Sequence, residues 1–285
     1  MKPILKYRGG KSKEIPNYID LIPNFETYYE PFFGGGATYF HLEPENAFIG
    51  DINTSLINFY HEISSNNFKT IKQELFELQR HYELNRRIFM NNKLFSPDKR
   101  VSDPNEDLYY YIRDMFNNKI ENQYTRATIY YFINKTAYSG MIRYNSNGEF
   151  NVPYGRYANF NTSLLDENHH KLLKKAQIYN GGYERCFELA TANDFIFLDP
   201  PYDTAFTDYG NEVFSGDFGE EEHRKLAADF KNLGAPAMMI IGETSLISDL
   251  YEGYIRSSYS KSYSVNIRNR FKSEAKHLII RNYGD

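Results

Sequence analysis

A short apolar run, Tyr28-Tyr29-Glu30-Pro31-Phe32-Phe33, breaks into three consecutive glycines, Gly34 to Gly36. A helix-like segment from Ala37 to Leu42 follows, and then a second apolar run, Ala47 to Gly50, that stops at Asp51. Strand, tight turn, helix and strand in that order predict parallel pairing, because two strands joined through a helix run the same way. Such units build α/β sheets whose polar residues gather at the carboxyl ends of the strands. Strand character returns at Gln177–Tyr179, strongly at Phe195–Leu198, and again at Ala237–Ile241, Tyr263–Val265 and His277–Ile280. Between these halves the chain changes character. Apolar residues recur at helical spacing at Ile71, Leu75 and Leu78, and at Leu108, Tyr111, Ile112 and Met115, with Pro97 and Pro104 bracketing a loop. Residues 138–160 are rich in Gly, Asn, Tyr and Arg and resemble a hairpin, with Asn147-Gly148 as its two-residue turn. The expected organisation is a sheet domain formed by residues 1–54 and 165–285, interrupted by a helical and hairpin insertion at 55–164.

Composition limits the function classes. No apolar run has the length of a membrane span, and the amino terminus lacks a signal-peptide pattern. One cysteine, Cys186, excludes an intramolecular disulfide and a cysteine-cluster zinc site, and makes a reducing, cytoplasmic setting the expectation. With 33 basic and 37 acidic side chains, net charge −4, overall charge gives no sign of nucleic-acid binding. A local basic face is still sufficient to hold phosphates. From Arg256 to Arg281 there are seven Lys or Arg against one acid, Glu274, and Arg268, Arg270 and Lys272 are the candidates there for phosphate contact. The 26 tyrosines and 22 phenylalanines fit an AT-rich coding sequence or a supply of rings for stacking bases.

Two motifs carry chemistry. The glycine turn lets a ligand approach the backbone closely. It is not a dinucleotide fingerprint, because Tyr39 stands at the third glycine position, and Gly10-Lys11-Ser12 lacks the first glycine of a phosphate-binding loop. Asp51 stands where a carboxylate accepts both hydroxyls of a ribose, or where it caps the helix that follows. The second motif, Leu198-Asp199-Pro200-Pro201-Tyr202, follows the most apolar strand. Its prolines stiffen the loop and remove N–H donors, leaving Asp199 and the Pro200 carbonyl as acceptors beside the flat face of Tyr202. Two acceptors and a stacking face suit the exocyclic amino group of a planar base.

Lys6-Tyr7-Arg8-Gly9-Gly10-Lys11, Phe33-Gly34-Gly35-Gly36, Asp51 and Asp199-Pro200-Pro201-Tyr202 stand in the order found in Dam-like, alpha-order (D12 class) DNA adenine-N6 methyltransferases. Arg143-Tyr144-Asn145 with Gly148 to Tyr157 is similar to the target-recognition hairpin of that group, so the resemblance spans nearly the whole chain. It implies a Rossmann-like S-adenosylmethionine-dependent methyltransferase fold with a helical and β-hairpin target-recognition insertion. It also implies S-adenosylmethionine as cofactor, double-stranded DNA as partner, and a restriction-modification or phage/host DNA-modification setting with room for a cognate restriction endonuclease.

Carried over residue by residue, the resemblance puts Tyr7 and Lys11 against the cofactor. Relatives mostly carry Trp at the first of these, so Tyr7 departs from them while keeping the aromatic face. Phe33, Gly34 and Gly36 would flank the cofactor, and Asp51 would hold its ribose. Asp199 and Pro200 would grip the target amino group, with Tyr202 stacked on the base. In the hairpin, Arg143 would read a guanine, and Asn145, Asn151 and Pro153 would meet DNA, although each asparagine also fits a purely turn-forming role. Ser139 and Met141 stand where GATC-reading relatives carry Asn and Leu, which leaves the recognition sequence open.

The expected reaction is methyl transfer to N6 of a flipped adenine without a metal. Transfer to cytosine N4, a non-catalytic DNA-binding relative and a nucleotide-dependent oxidoreductase are the competing readings. His169-His170 is expected on a solvated helix face, and Glu220-Glu221-Glu222 in the first turn of a helix.

Overall fold

The computed structural model describes residues 1–7, 9–203, 218–262 and 274–284. Among the described residues seven strands form one sheet: β1 (Tyr28–Glu30), β2 (Ala47–Asp51), β3 (Ala176–Asn180), β4 (Phe195–Leu198), β5 (Ala237–Gly242), β6 (Ile255–Ser262) and β7 (Glu274–Arg281). Their order is β3-β2-β1-β4-β5-β7-β6, and only β7 runs antiparallel to its neighbours. This is a mixed α/β sheet consistent with the S-adenosylmethionine-dependent methyltransferase fold. The chain order reverses direction between β1 and β4, the position at which open α/β sheets take their ligands.

Alternation along the strands sends successive side chains to opposite faces. Tyr28, Ile49, Phe195, Phe197, Met238, Ile240 and Ile279 join one buried cluster, and Tyr29, Phe48, Ile196, Leu198, Met239, Ile241 and Leu278 join another. The first cluster continues without a break into the inserted helices through Tyr82, Leu108, Ile112 and Phe150. Helices α1 (Ala37–Leu42), α2 (Thr54–Ser64), α3 (Phe68–Phe95), α4 (Pro104–Phe116), α5 (Arg126–Thr136) and α6 (Glu167–Lys175) lie on that side. Helices α7 (Glu184–Leu189), α8 (Glu220–Lys231) and α9 (Ser245–Leu250) cover the other. Helix α2 packs on both β3 and α5, so it bridges the sheet and the insertion.

Local signals placed these boundaries. Pro104 opens α4 behind its cap Asp103, whose side chain accepts the N–H of Asn105. The acidic triplet Glu220 to Glu222 forms the first turn of α8 as expected. Two expectations need revision, and one strand was not foreseen. His169 and His170 are not on a solvated face: His169 is 3% exposed, shares a capping box with Asp166, and its Nε2 meets the Lys2 carbonyl at 2.9 Å. The His170 ring stacks on Phe68 while its Nδ1 contacts the Ile63 carbonyl at 2.7 Å. Strand β6 carried no legible signal, because an edge strand reading Ile-Arg-Ser-Ser-Tyr-Ser-Lys-Ser has few apolar residues. The hairpin turn is also displaced. Gly148 donates to the Asn145 carbonyl at 2.9 Å and has φ +74°, so Ser146 and Asn147 are central and Gly148 forms the bulge. The strand expected at Tyr263–Val265 lies outside the described residues.

Candidate active site

The glycine turn begins where β1 ends. Phe33 donates to the Gly50 carbonyl at 2.9 Å, and Gly36 donates back to Phe33 at 2.7 Å. Gly34 and Gly36 have φ of +47° and +63°, in the left-handed region that side chains resist. A Cβ on Gly34 would lie 2.7 Å from Tyr7 Cε1, so the Tyr7 ring rests directly on the turn. The ring of Phe33 lies against the turn from inside, where a Cβ on Gly36 would come within 2.5 Å of its Cζ. It is 2% exposed and packs edge-on against Tyr60, with centroids 4.8 Å apart.

Asp51 locks the turn to the end of β2. Its Oδ2 accepts the N–H of Gly34 and its Oδ1 that of Asn53, each at 2.9 Å. Each oxygen retains acceptor capacity beyond these bonds. Burial pushes the Asp51 carboxyl above its usual range, and the backbone donors work against that rise. The capping role considered for Asp51 falls to Asn53, whose side chain accepts the N–H of Leu56 at 3.0 Å. Asn180, which ends β3, and Gly181 after it both donate to the Asp51 carbonyl, and Ile52 stands 49% exposed beside it.

The loop after β4 brings the second motif to the same edge of the sheet. Lys11, 2% exposed, reaches across with its Nζ 2.5 Å from Asp199 Oδ1 and 3.1 Å from the Gly9 carbonyl. Burial raises the Asp199 carboxyl, and the Lys11 charge and hydrogen bond oppose the rise. The Lys11 ammonium also lies 5.0 Å from the centre of the Tyr202 ring. Asp203 fixes the end of the motif by accepting the Thr244 hydroxyl at 2.8 Å.

Further groups surround this centre that local sequence patterns did not single out. Glu30, 3% exposed, accepts the Tyr28 hydroxyl at 2.8 Å. Burial raises its carboxyl well above the usual range, and the neighbouring Asp199 charge adds to this. The only signal was an acid inside an otherwise apolar strand run. Glu14 and His277 come from opposite ends of the chain and meet at 2.7 Å. Phe32 stacks with Tyr183 at 5.8 Å and meets Phe218 edge-on at 5.8 Å, forming an aromatic cluster beside the turn.

The hairpin follows α5 on the insertion. Arg143 is exposed, and its Nε donates to Asn151 Oδ1 at 2.8 Å. Asn145 is a turn former here: its Oδ1 accepts the N–H groups of Asn147 and Glu149 at 2.9 and 3.0 Å. Pro153 is exposed at the base, where its carbonyl accepts the N–H of Tyr138 at 2.9 Å. Tyr138, at the entry to the hairpin, is 56% exposed. Asn117 braces the hairpin by exchanging two hydrogen bonds with the backbone of Phe150 at 2.8 and 3.0 Å. Asn134 makes the same exchange with Lys6 at 2.8 and 2.9 Å, tying α5 to the segment that carries Tyr7. Arg268, Arg270 and Lys272 lie outside the described residues.

Comparison with known proteins places nearly the whole chain beside one family. The family model of the D12 class N6 adenine-specific DNA methyltransferases matches residues 7–267. The chain is 36% identical to the Type II methyltransferase M.CviBI of Paramecium bursaria Chlorella virus NC1A, covering 99% of this chain and 100% of the relative. It is 32% identical to the Type II methyltransferase M.MjaIII of Methanocaldococcus jannaschii, with 99% of each covered. It is 29% identical to the DNA adenine methylase of Haemophilus influenzae, covering 95% and 91% respectively.

Proposed function

The chain belongs to the D12 class of N6 adenine-specific DNA methyltransferases, and on that footing we propose how its residues divide the work. The observation that carries the proposal is the convergence, at the carboxyl ends of the central strands, of a partly buried carboxylate, Asp199, with the glycine turn, Tyr7 and Asp51. Methyltransferases of this kind use S-adenosylmethionine, which when bound supplies an electrophilic methyl group on a sulfonium. The residues present fit that group. The side-chain-free turn lets the Tyr7 ring lie directly against its backbone, and Asp51 keeps acceptor capacity for a ribose. Tyr7, Lys11, Gly34 and Gly36 would complete the cofactor surface, and Phe33 would support it from beneath.

Adenine N6 lies inside the duplex, so the base must leave the stack. Its lone pair is delocalised into the ring, which makes it a weak nucleophile. Asp199 and the Pro200 carbonyl accept its two N–H bonds and favour a pyramidal nitrogen, an interaction that strengthens as positive charge grows there. Tyr202 supplies the stacking wall. Arg143 reads a base edge, with Asn151 holding its guanidinium in plane. Asn145 shapes the turn, while Pro153, Arg268, Arg270 and Lys272 contact the duplex. Residues 1–54 and 165–285 form the catalytic unit, and 55–164 the recognition unit. We assign the enzyme to a restriction-modification setting in the cytoplasm, with an endonuclease of the same recognition sequence as partner.

The test is nucleoside analysis and modified-base sequencing of DNA from cells expressing the wild type and Asp199→Ala. N6-methyladenine at one recurring sequence, lost in the variant, is the expected result. N4-methylcytosine, or unchanged methylation in the variant, overturns the reading.

A further inference from the structure

Tyr202 lies at the end of a loop, and contacts from other elements fix its ring. Gly242 on β5 pairs in register with His277 on β7, and His277 pairs in register with Tyr259 on β6. These three residues form one row across the antiparallel edge of the sheet. Gly242 has no side chain, and a Cβ there would come within 3.3 Å of Tyr202 Cδ2, so the ring lies close against it. His277 is fully buried and meets the ring edge-on at 89°, with centroids 5.1 Å apart. At 3.5 Å the Tyr202 hydroxyl is at the limit of a hydrogen bond to His277 Nδ1, so the edge-to-face contact dominates.

What holds His277 is Glu14. Its Oε2 accepts from His277 Nδ1 at 2.7 Å and from the Tyr259 hydroxyl at 2.6 Å, and its Oε1 pairs with Lys261. Glu14 is 4% exposed and sits one turn after Lys11, to whose carbonyl it donates at 2.7 Å. Burial pushes the Glu14 carboxyl upward, but the three donors outweigh it and hold the group at about 2. The same three donors therefore favour Glu14 as a carboxylate. A buried carboxylate with three donors has one favourable geometry.

We propose that Glu14 and His277 are positioning residues for the transfer, setting the pitch of the Tyr202 ring and hence of the base stacked on it. The proposal rests on Tyr202 being the stacking wall. Neither residue touches the reacting atoms. Their effect passes through Tyr202, so losses should merge with the loss of Tyr202.

The experiment is a double-mutant cycle on the full chain, reading single-turnover transfer of a labelled methyl group to unmethylated DNA. Tyr202→Ala is expected to lose about a hundredfold in rate and His277→Gln about tenfold, the scale of a misplaced reactant. The cofactor KM of His277→Gln should stay within about twofold of wild type, because its own defect is in orientation. The Tyr202→Ala/His277→Gln double variant should be no slower than Tyr202→Ala. Should His277→Gln fail to fold, Glu14→Gln, which conserves volume and one acceptor, replaces it in the same cycle. Multiplying losses, or a wild-type rate in the replacement beside an impaired Tyr202→Ala, overturns the positioning role alone. A wild-type rate in Tyr202→Ala overturns the stacking wall itself, and the proposal with it.

Discussion

Lys11 Nζ lies 2.5 Å from Asp199 Oδ1 across 188 residues of sequence, so the amino-terminal segment supplies the charge that opposes the rise of the Asp199 carboxyl. Burial alone would raise the Asp199 carboxyl, and a protonated Asp199 has lost acceptor capacity for the target amine. Activity requiring the ionised form is lost as pH falls through this group's pKa. In Lys11→Met the opposing charge is gone, and the acid limb of the rate profile should move up by about one pH unit or more. Rate measured against pH at saturating DNA and cofactor checks this, and an unmoved limb would separate Lys11 from Asp199.

Gly34→Ala combines two penalties, a left-handed φ of +47° and a Cβ 2.7 Å from Tyr7 Cε1. Gly253 has φ +83° with open space around it, so its Ala variant carries strain alone, about 1–2 kcal/mol. Calorimetry should find cofactor binding abolished in Gly34→Ala and retained in Gly253→Ala. Equal binding in the two variants would mean that Tyr7 and the turn do not form the cofactor surface.

The Arg143 guanidinium is oriented through its Nε by Asn151 at 2.8 Å, which presents its remaining donors as a fork. Arg143→Ala should lose about 1–3 kcal/mol of discrimination at one base position. Arg143→Lys should not restore it, because an ammonium cannot bond bidentately. Asn151→Ala should fall between the wild type and Arg143→Ala. Modified-base sequencing reads the result as additional methylated sequences, and an unaltered sequence preference in Arg143→Ala removes it as a reader.

Glu30 binds its proton more tightly when folded than when unfolded, because burial raises its carboxyl well above the usual range. Stability therefore falls as pH rises from the unfolded carboxylate range, near 4.5, toward the folded value. Glu30→Gln removes this linkage while keeping an acceptor for the Tyr28 hydroxyl. Denaturant midpoints should decline less steeply between about pH 5 and 8 in the variant than in wild type. Parallel slopes would show that Glu30 is ionised in the fold.

The chain's local patterns were sufficient for the parts of the fold that local chemistry decides. Apolar, β-forming runs marked β1, β2, β3, β4, β5 and β7, and Pro104 marked the end of the loop before α4. The motif at Asp199 to Tyr202 was legible because its prolines and acid act within four residues. Strand β6 was silent for the opposite reason: it is stabilised by pairing with β7 and by Tyr259 and Lys261 bonding to Glu14, none of which leaves a local trace. His169 and His170 looked solvated because their acceptors, the Lys2 and Ile63 carbonyls, are remote in sequence.

By itself the sequence determined which residue types stand at the ends of the parallel strands, and with them the kind of chemistry available. Only the tertiary structure decided which groups share a charge or a hydrogen bond. Sheet order places Asp51 on the glycine turn and leaves the helix cap to Asn53, turns the Phe33 ring inward, and joins Glu14 to His277 across 263 residues. The physical reason is that strand periodicity acts over a few residues. Contacts between strands and the amino-terminal segment depend on how the whole chain closes its core.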